Sequence, residues 1–196
     1  MEQIVLTQGT YIQISVSDEQ KLFARQLVDH SLRHHHVSNI WDKNEDRLTQ
    51  TRMMRFTGTL GEVVFADCYH LPRPGRSFGA TMKRKSGMLA SDYVLNIPSS
   101  QLHKPGSKTT HYFCLSFHQH ESDGTIASLL GFIDKQALEK GETGTLYRSG
   151  TRRMRADGSA FTFNESTYEV LFSDISPPVI TDSLRRIKGF RVCGLK

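Results

Sequence analysis

No stretch of the chain approaches the ~20 consecutive apolar residues that a membrane-crossing helix needs. Nor does the N-terminus carry the charged and then apolar leader of a secreted protein. Both absences lead us to expect a soluble, cytoplasmic protein with no membrane partner. Cysteine is scarce, with only Cys68, Cys114 and Cys193, widely spaced and without a CxxC pair. That pattern argues against a zinc ribbon or a disulfide framework and favours buried thiols. No internal repeat or low-complexity linker breaks the chain. At 196 residues, it is long enough to bury a core without cross-links. A single domain over 1–196 is expected.

Acidic residues are in deficit: 20 Asp and Glu face 25 Lys and Arg, a formal net charge of +5. An excess of this size permits a polyanionic partner without requiring one. Its distribution is more informative. Arg73, Arg76, Lys83, Arg84 and Lys85 form one cluster, and Arg148, Arg152, Arg153 and Arg155 form a second. Either is a candidate phosphate-gripping surface or, equally, a solvated loop.

Residues 4–16 are β-prone, with Ile12, Ile14 and Val16 in alternation after Gly9. Ser17-Asp18-Glu19-Gln20 reads as a capping box, opening a helix to about residue 34. His30 and His34 share a face of that helix but have no third ligand at motif spacing, so imidazolium near a helix C-terminus is the plainer account. Residues 37–52, around Trp41, are expected to be a loop or short turn, and a second helix is expected from Arg55 to Tyr69. Leu71-Pro72-Arg73-Pro74-Gly75 ends it. Strands are expected at 78–82, 88–97, 111–118, 125–133 and 168–172, with a short helix over 134–140. Residues 98–110 read as a polar loop, 141–166 as a long excursion or hairpin, and 177–187 as a terminal helix led by Pro177-Pro178.

Two carboxylates stand out. Glu62 lies among apolar residues of the second helix, where it either faces solvent or is held near a cation. Asp92 stands near the start of an apolar strand, where Asp is disfavoured. On the strand from His111 to His120, Phe113, Leu115 and Phe117 take one face, while Cys114, Ser116, His118 and His120 take the other. If this strand pairs with the Asp92 strand across 98–110, the polar face adjoins Asp92.

Gly61-Glu62 in a helix, then Ser91-Asp92-Tyr93-Val94-Leu95-Asn96-Ile97, then Leu115-Ser116-Phe117-His118 resembles the PD-(D/E)XK nuclease superfamily, the restriction-endonuclease-like fold. The resemblance covers residues 55–190, with 1–54 as a strand-and-helix lead-in. It implies a mixed α/β core with a central mixed sheet of about five strands flanked by helices. It further implies Glu62 and Asp92 as ligands of Mg²⁺ or Mn²⁺ and DNA as the substrate, with RNA left open. A homodimer would suit cleavage of both strands. The third motif departs from the family, since Ser116 stands in place of an acid and His118 in place of a lysine.

On that resemblance Ser116, His118 and His120 are the candidate catalytic residues, with His118 the candidate base. Arg73, Arg76, Lys83, Arg84, Lys85, Arg152 and Arg153 would grip nucleic acid. The expected function is therefore a metal-dependent nuclease acting on DNA phosphodiesters. A catalytically degenerate nucleic-acid-binding or interaction protein on the same scaffold is the alternative, and a small assembly protein with solvating charges the third reading.

Overall fold

The computed structural model describes residues 6–34, 45–74, 94–120, 124–154 and 158–194. Strand β1 (Thr10–Ser15) leads into helix α1 (Asp18–His34). The capping box forms as its sequence requires: the Ser17 hydroxyl accepts from the Gln20 amide, and the Gln20 side chain accepts from the Ser17 amide. Helix α2 (Glu45–Cys68) starts ten residues before the expected Arg55. It closes on His70, which takes the left-handed position at φ 52°, and the Leu71 amide donates back to the Ala66 carbonyl.

Strand β2 (Val94–Pro98) runs directly into the one-turn helix α3 (Ser99–Leu102), inside what the sequence suggested was loop. Strands β3 (His111–His120) and β4 (Gly124–Asp134) form a long hairpin. Helix α4 (Lys135–Lys140) follows, its N-terminus capped by Asp134 and its C-terminus by Gly141 at φ 71°. Next come β5 (Thr145–Tyr147), the hairpin of β6 (Arg152–Met154) with β7 (Ala160–Thr162), and β8 (Thr167–Leu171). The expected terminal helix is only the single turn α5 (Asp182–Arg185), because Thr181, not the proline pair, caps it. Strand β9 (Arg191–Gly194), which the sequence reading missed, closes the described chain.

The class is mixed α/β, with five helices, but no single mixed sheet forms among the described residues. Instead there are three antiparallel sheets, ordered β3-β4-β1-β9, β2-β8-β5 and β6-β7. The hairpin expected across 98–110 is absent. Strand β2 pairs with β8, Leu95 opposite Val170, while β3 pairs with β4. Adjacency in sequence favoured the wrong partner because α3 carries the chain from one sheet to the other. The strand expected at 78–82 and residues 88–93 of the next lie outside the described residues.

The four-stranded sheet is the middle layer. One face packs on α1 and α2 through Ile12, Ile14, Leu60, Val63, Val64, Leu115, Phe117 and Leu129. Its other face meets the three-stranded sheet through Cys114, Leu130, Ile133, Ile97, Tyr168 and Val170, with Leu102 of α3 and Leu138 of α4 closing the same cluster. A bulge on β4 makes this double duty possible. Cys114 pairs with Gly131 and Leu115 with Leu129, so Leu130 is the extra residue. The three thiols are unpaired, and burial pushes those of Cys68 and Cys114 up to about 12.

Candidate functional site

The parity expected on β3 holds. Phe113, Leu115 and Phe117 turn toward α2, where Phe113 packs against Phe65 at 4.4 Å between ring centroids, while Cys114 turns toward the three-stranded sheet. Ser116 and His118 share the side of Cys114. Ser116 is buried and lies across from Ser128, and His118 lies across from Ile126. His120 ends the strand, and its side chain lies outside what is described.

Glu62 belongs to α2, on the opposite side of the four-stranded sheet from Ser116 and His118. The middle layer therefore separates two of the groups expected to converge. Glu62 is half-buried, and desolvation pushes its carboxyl up to about 6. No hydrogen bond or ion pair from a described residue reaches it. Asp92 lies outside the described residues. Among the described residues no group of three His, Cys, Asp or Glu could hold a metal ion.

The two described arginines with the closest carboxylates are already engaged. Arg73 donates from Nε to Asp67 Oδ1 at 2.7 Å and from Nη2 to Asp67 Oδ2 at 2.8 Å, and it reaches Glu19 with both terminal nitrogens. Its guanidinium also lies 5.0 Å from the centroid of Phe23. The Gln20 amide of the capping box adds a bond to Asp67, so this group ties the start of α1 to the end of α2. Arg73 is thus a structural clamp with its charge neutralised. Arg76, Lys83, Arg84 and Lys85 fall outside the described residues.

Arg153 points inward from β6 and binds Glu169 of β8 with two hydrogen bonds, 2.6 and 3.2 Å. It also lies over Tyr147, which stacks on Phe163 at 5.2 Å. The β6-β7 hairpin is thereby braced against the outer face of the three-stranded sheet. Beside it the tight turn Arg148–Thr151 is tied to Phe163 by two backbone bonds. Arg148 and Arg152 flank this turn, exposed, and no described side chain pairs with either. Sequence reasoning missed all three anchoring acids, Glu19 and Asp67 at Arg73 and Glu169 at Arg153. A signal for one was present: Glu169 stands between Tyr168 and Val170, both buried, where an isolated carboxylate would be costly.

Comparison with protein families, with curated protein sequences and with solved structures finds no match to this chain. Among the described residues no helix is long and apolar enough to cross a membrane.

Proposed function

We propose that the chain binds nucleic acid through the phosphate backbone, with Ser116 and His118 standing where the nucleases it resembles carry an acid and a lysine. The observation that carries this reading is the sorting of charge on one arm. Arg153 faces in and is neutralised by Glu169, while Arg148 and Arg152 are exposed with no counter-charge among the described residues. Bracing by Arg153, Tyr147 and Phe163 fixes the backbone that carries the exposed pair, which lowers part of the ordering cost of binding. Guanidinium suits phosphate because its fork of donors matches the oxygens.

The test is anisotropy of a labelled DNA duplex, and separately of single-stranded DNA and RNA, across a salt series. Wild type should bind with a log–log salt slope set at about 0.9 per phosphate contact on duplex DNA. Arg148→Ser/Arg152→Ser should weaken binding and flatten the slope. Equal slopes for both proteins would remove the arm from the reading.

A second reading, cleavage of DNA phosphodiesters with Mg²⁺ or Mn²⁺ at Glu62 and Asp92, is favoured by one observation: Glu62 is half-buried with no described partner. Nicking of supercoiled plasmid by wild type, abolished in Glu62→Ala and in Asp92→Ala, would establish it. Intact plasmid under both metals would leave binding alone.

A further inference from the structure

From Ile175 to Lys196 there are five Lys and Arg against one Asp, so this segment carries +4 of the chain's net +5. The rest of the chain is close to balanced. The imbalance is also ordered in space. Leu184 is fully buried, and Ile187 and Phe190 pack on the same cluster between the helices and the four-stranded sheet. These three anchors recur every third residue. Between them Arg186 and Lys188 are exposed and Arg185 half-exposed.

The turn that carries these cations is tightly held. The Ser15 amide donates to the Lys188 carbonyl at 2.8 Å, and the Phe190 amide donates to the Ile187 carbonyl. Gly189 sits at φ 77° with Ser15 so close that a Cβ there would lie 2.3 Å from the Ser15 hydroxyl. Only glycine fits both the backbone angle and the approach. At its start, Thr181 caps the helical turn and Ser183 meets the His70 ring at 2.5 Å. A flexible tail rich in Lys and Arg would need none of this.

None of Arg185, Arg186 and Lys188 has an ion pair or side-chain hydrogen bond with a described residue. At several other positions carboxylates sit beside cations, as Asp18 does at Lys21, Asp29 at Arg52, Glu139 at Lys135 and Glu142 at Lys140. Here three cationic residues fall within four positions of a turn whose backbone is held, and none has an acidic partner among the described residues. Such a frame becomes favourable when a ligand supplies closely spaced negative charge.

We propose that the turn Arg185–Lys188 is a second phosphate-backbone contact site, separate in sequence from the Arg148–Arg152 arm and taking the same nucleic-acid ligand. This rests on the nucleic-acid reading above. Three cations on a fixed backbone turn, without sequence-reading groups among them, would bind the backbone and not the bases.

The experiment measures anisotropy of a labelled duplex between about 50 and about 200 mM salt, for wild type, Arg185→Ser/Arg186→Ser/Lys188→Ser, and Arg186→Gln/Lys188→Gln. The last changes only exposed side chains and guards against a folding defect, which circular dichroism would report. We expect the triple variant to bind at least about tenfold more weakly at the lower salt, with a slope shallower by about 1 to 3, and the double variant to fall between. Binding by wild type with the same affinity and slope in both variants overturns this site while leaving the nucleic-acid reading intact. No binding by wild type to duplex or single strand overturns that reading and the site with it. Binding to vesicles of anionic lipid with none to nucleic acid also overturns it, and assigns the turn to a membrane surface.

Discussion

Arg153 Nη2 lies 2.6 Å from Glu169 Oε1, joining the inward side of the β6-β7 hairpin to a carboxylate that is only 9% exposed. The pair is asymmetric. Glu169 is sunk in the three-stranded sheet, whereas Arg153 remains partly in water and stacks over Tyr147. Removing the cation strands a buried charge; removing both does not.

Arg153→Met should therefore destabilise the protein by about 2 kcal/mol, below the figure for a fully buried pair because Arg153 is partly solvated. Arg153→Met/Glu169→Leu should recover most of that loss. Urea unfolding of the four corners of this cycle checks it, and a double variant no better than the single one would contradict it.

Glu62 sets a pH dependence with a definite sign. Its carboxyl titrates near 6 when folded, against about 4.3 in an unfolded chain. The folded state then holds the proton more tightly, so stability is highest below about 4.3 and falls as pH rises toward about 6. The full shift corresponds to ~2 kcal/mol, and solvent screening of a half-buried group reduces it to about 1 kcal/mol. Glu62→Gln should be the more stable protein at pH 7.5 by about that amount and no more stable than wild type at pH 4. Urea midpoints at the two pH values decide it.

Gly131 has φ 123°, and a Cβ there would meet the Ser176 carbonyl oxygen at 1.9 Å. That oxygen accepts from the Phe132 amide, so it cannot withdraw without breaking the bridge between β4 and the chain after β8. Gly131→Ala should cost about 3 kcal/mol or more. Gly124→Ala, at φ 71° with open space around it, should cost only about 1 kcal/mol. Thermal melts of the two variants compare them directly.

Ser128 is 1% exposed and its hydroxyl has no hydrogen-bond partner among the described residues. Ser128→Ala removes a desolvated donor and should leave stability unchanged or raise it by up to about 1 kcal/mol, equivalent to about 2–4 °C in Tm. Ser116 is its neighbour across the ladder and is likewise buried. Ser116→Ala should leave nucleic-acid binding untouched, as anisotropy would show.

Local features were legible in advance. The Ser17–Gln20 cap, the parity of β3, the span of β4 and the short helix at Lys135 depend on residues within a turn or a strand of one another. Strand partnership was not legible, because alternation says which face a side chain takes but not which strand lies alongside. Thus Leu95 opposite Val170 could not be read from either segment. The site divided in the same way. The apolar context of Glu62 marked it as unusual but left open whether it faced solvent or a cation. The neutralisation of Arg73 by Asp67 and Glu19, and of Arg153 by Glu169, depends on elements brought together only by folding.

The bulge at Leu130 has a consequence for how the protein comes apart. Ala127 and Leu129 of β4 belong to the cluster under the helices, while Leu130 and Ile133 belong to the cluster under the three-stranded sheet. One strand is therefore a wall of both interiors, and neither interior survives its loss. Two sheets with two cores would ordinarily allow stepwise melting, but this shared wall couples them into one cooperative unit. Amide exchange along β4 should be the slowest in the chain, and helix and sheet signals should disappear at the same denaturant concentration.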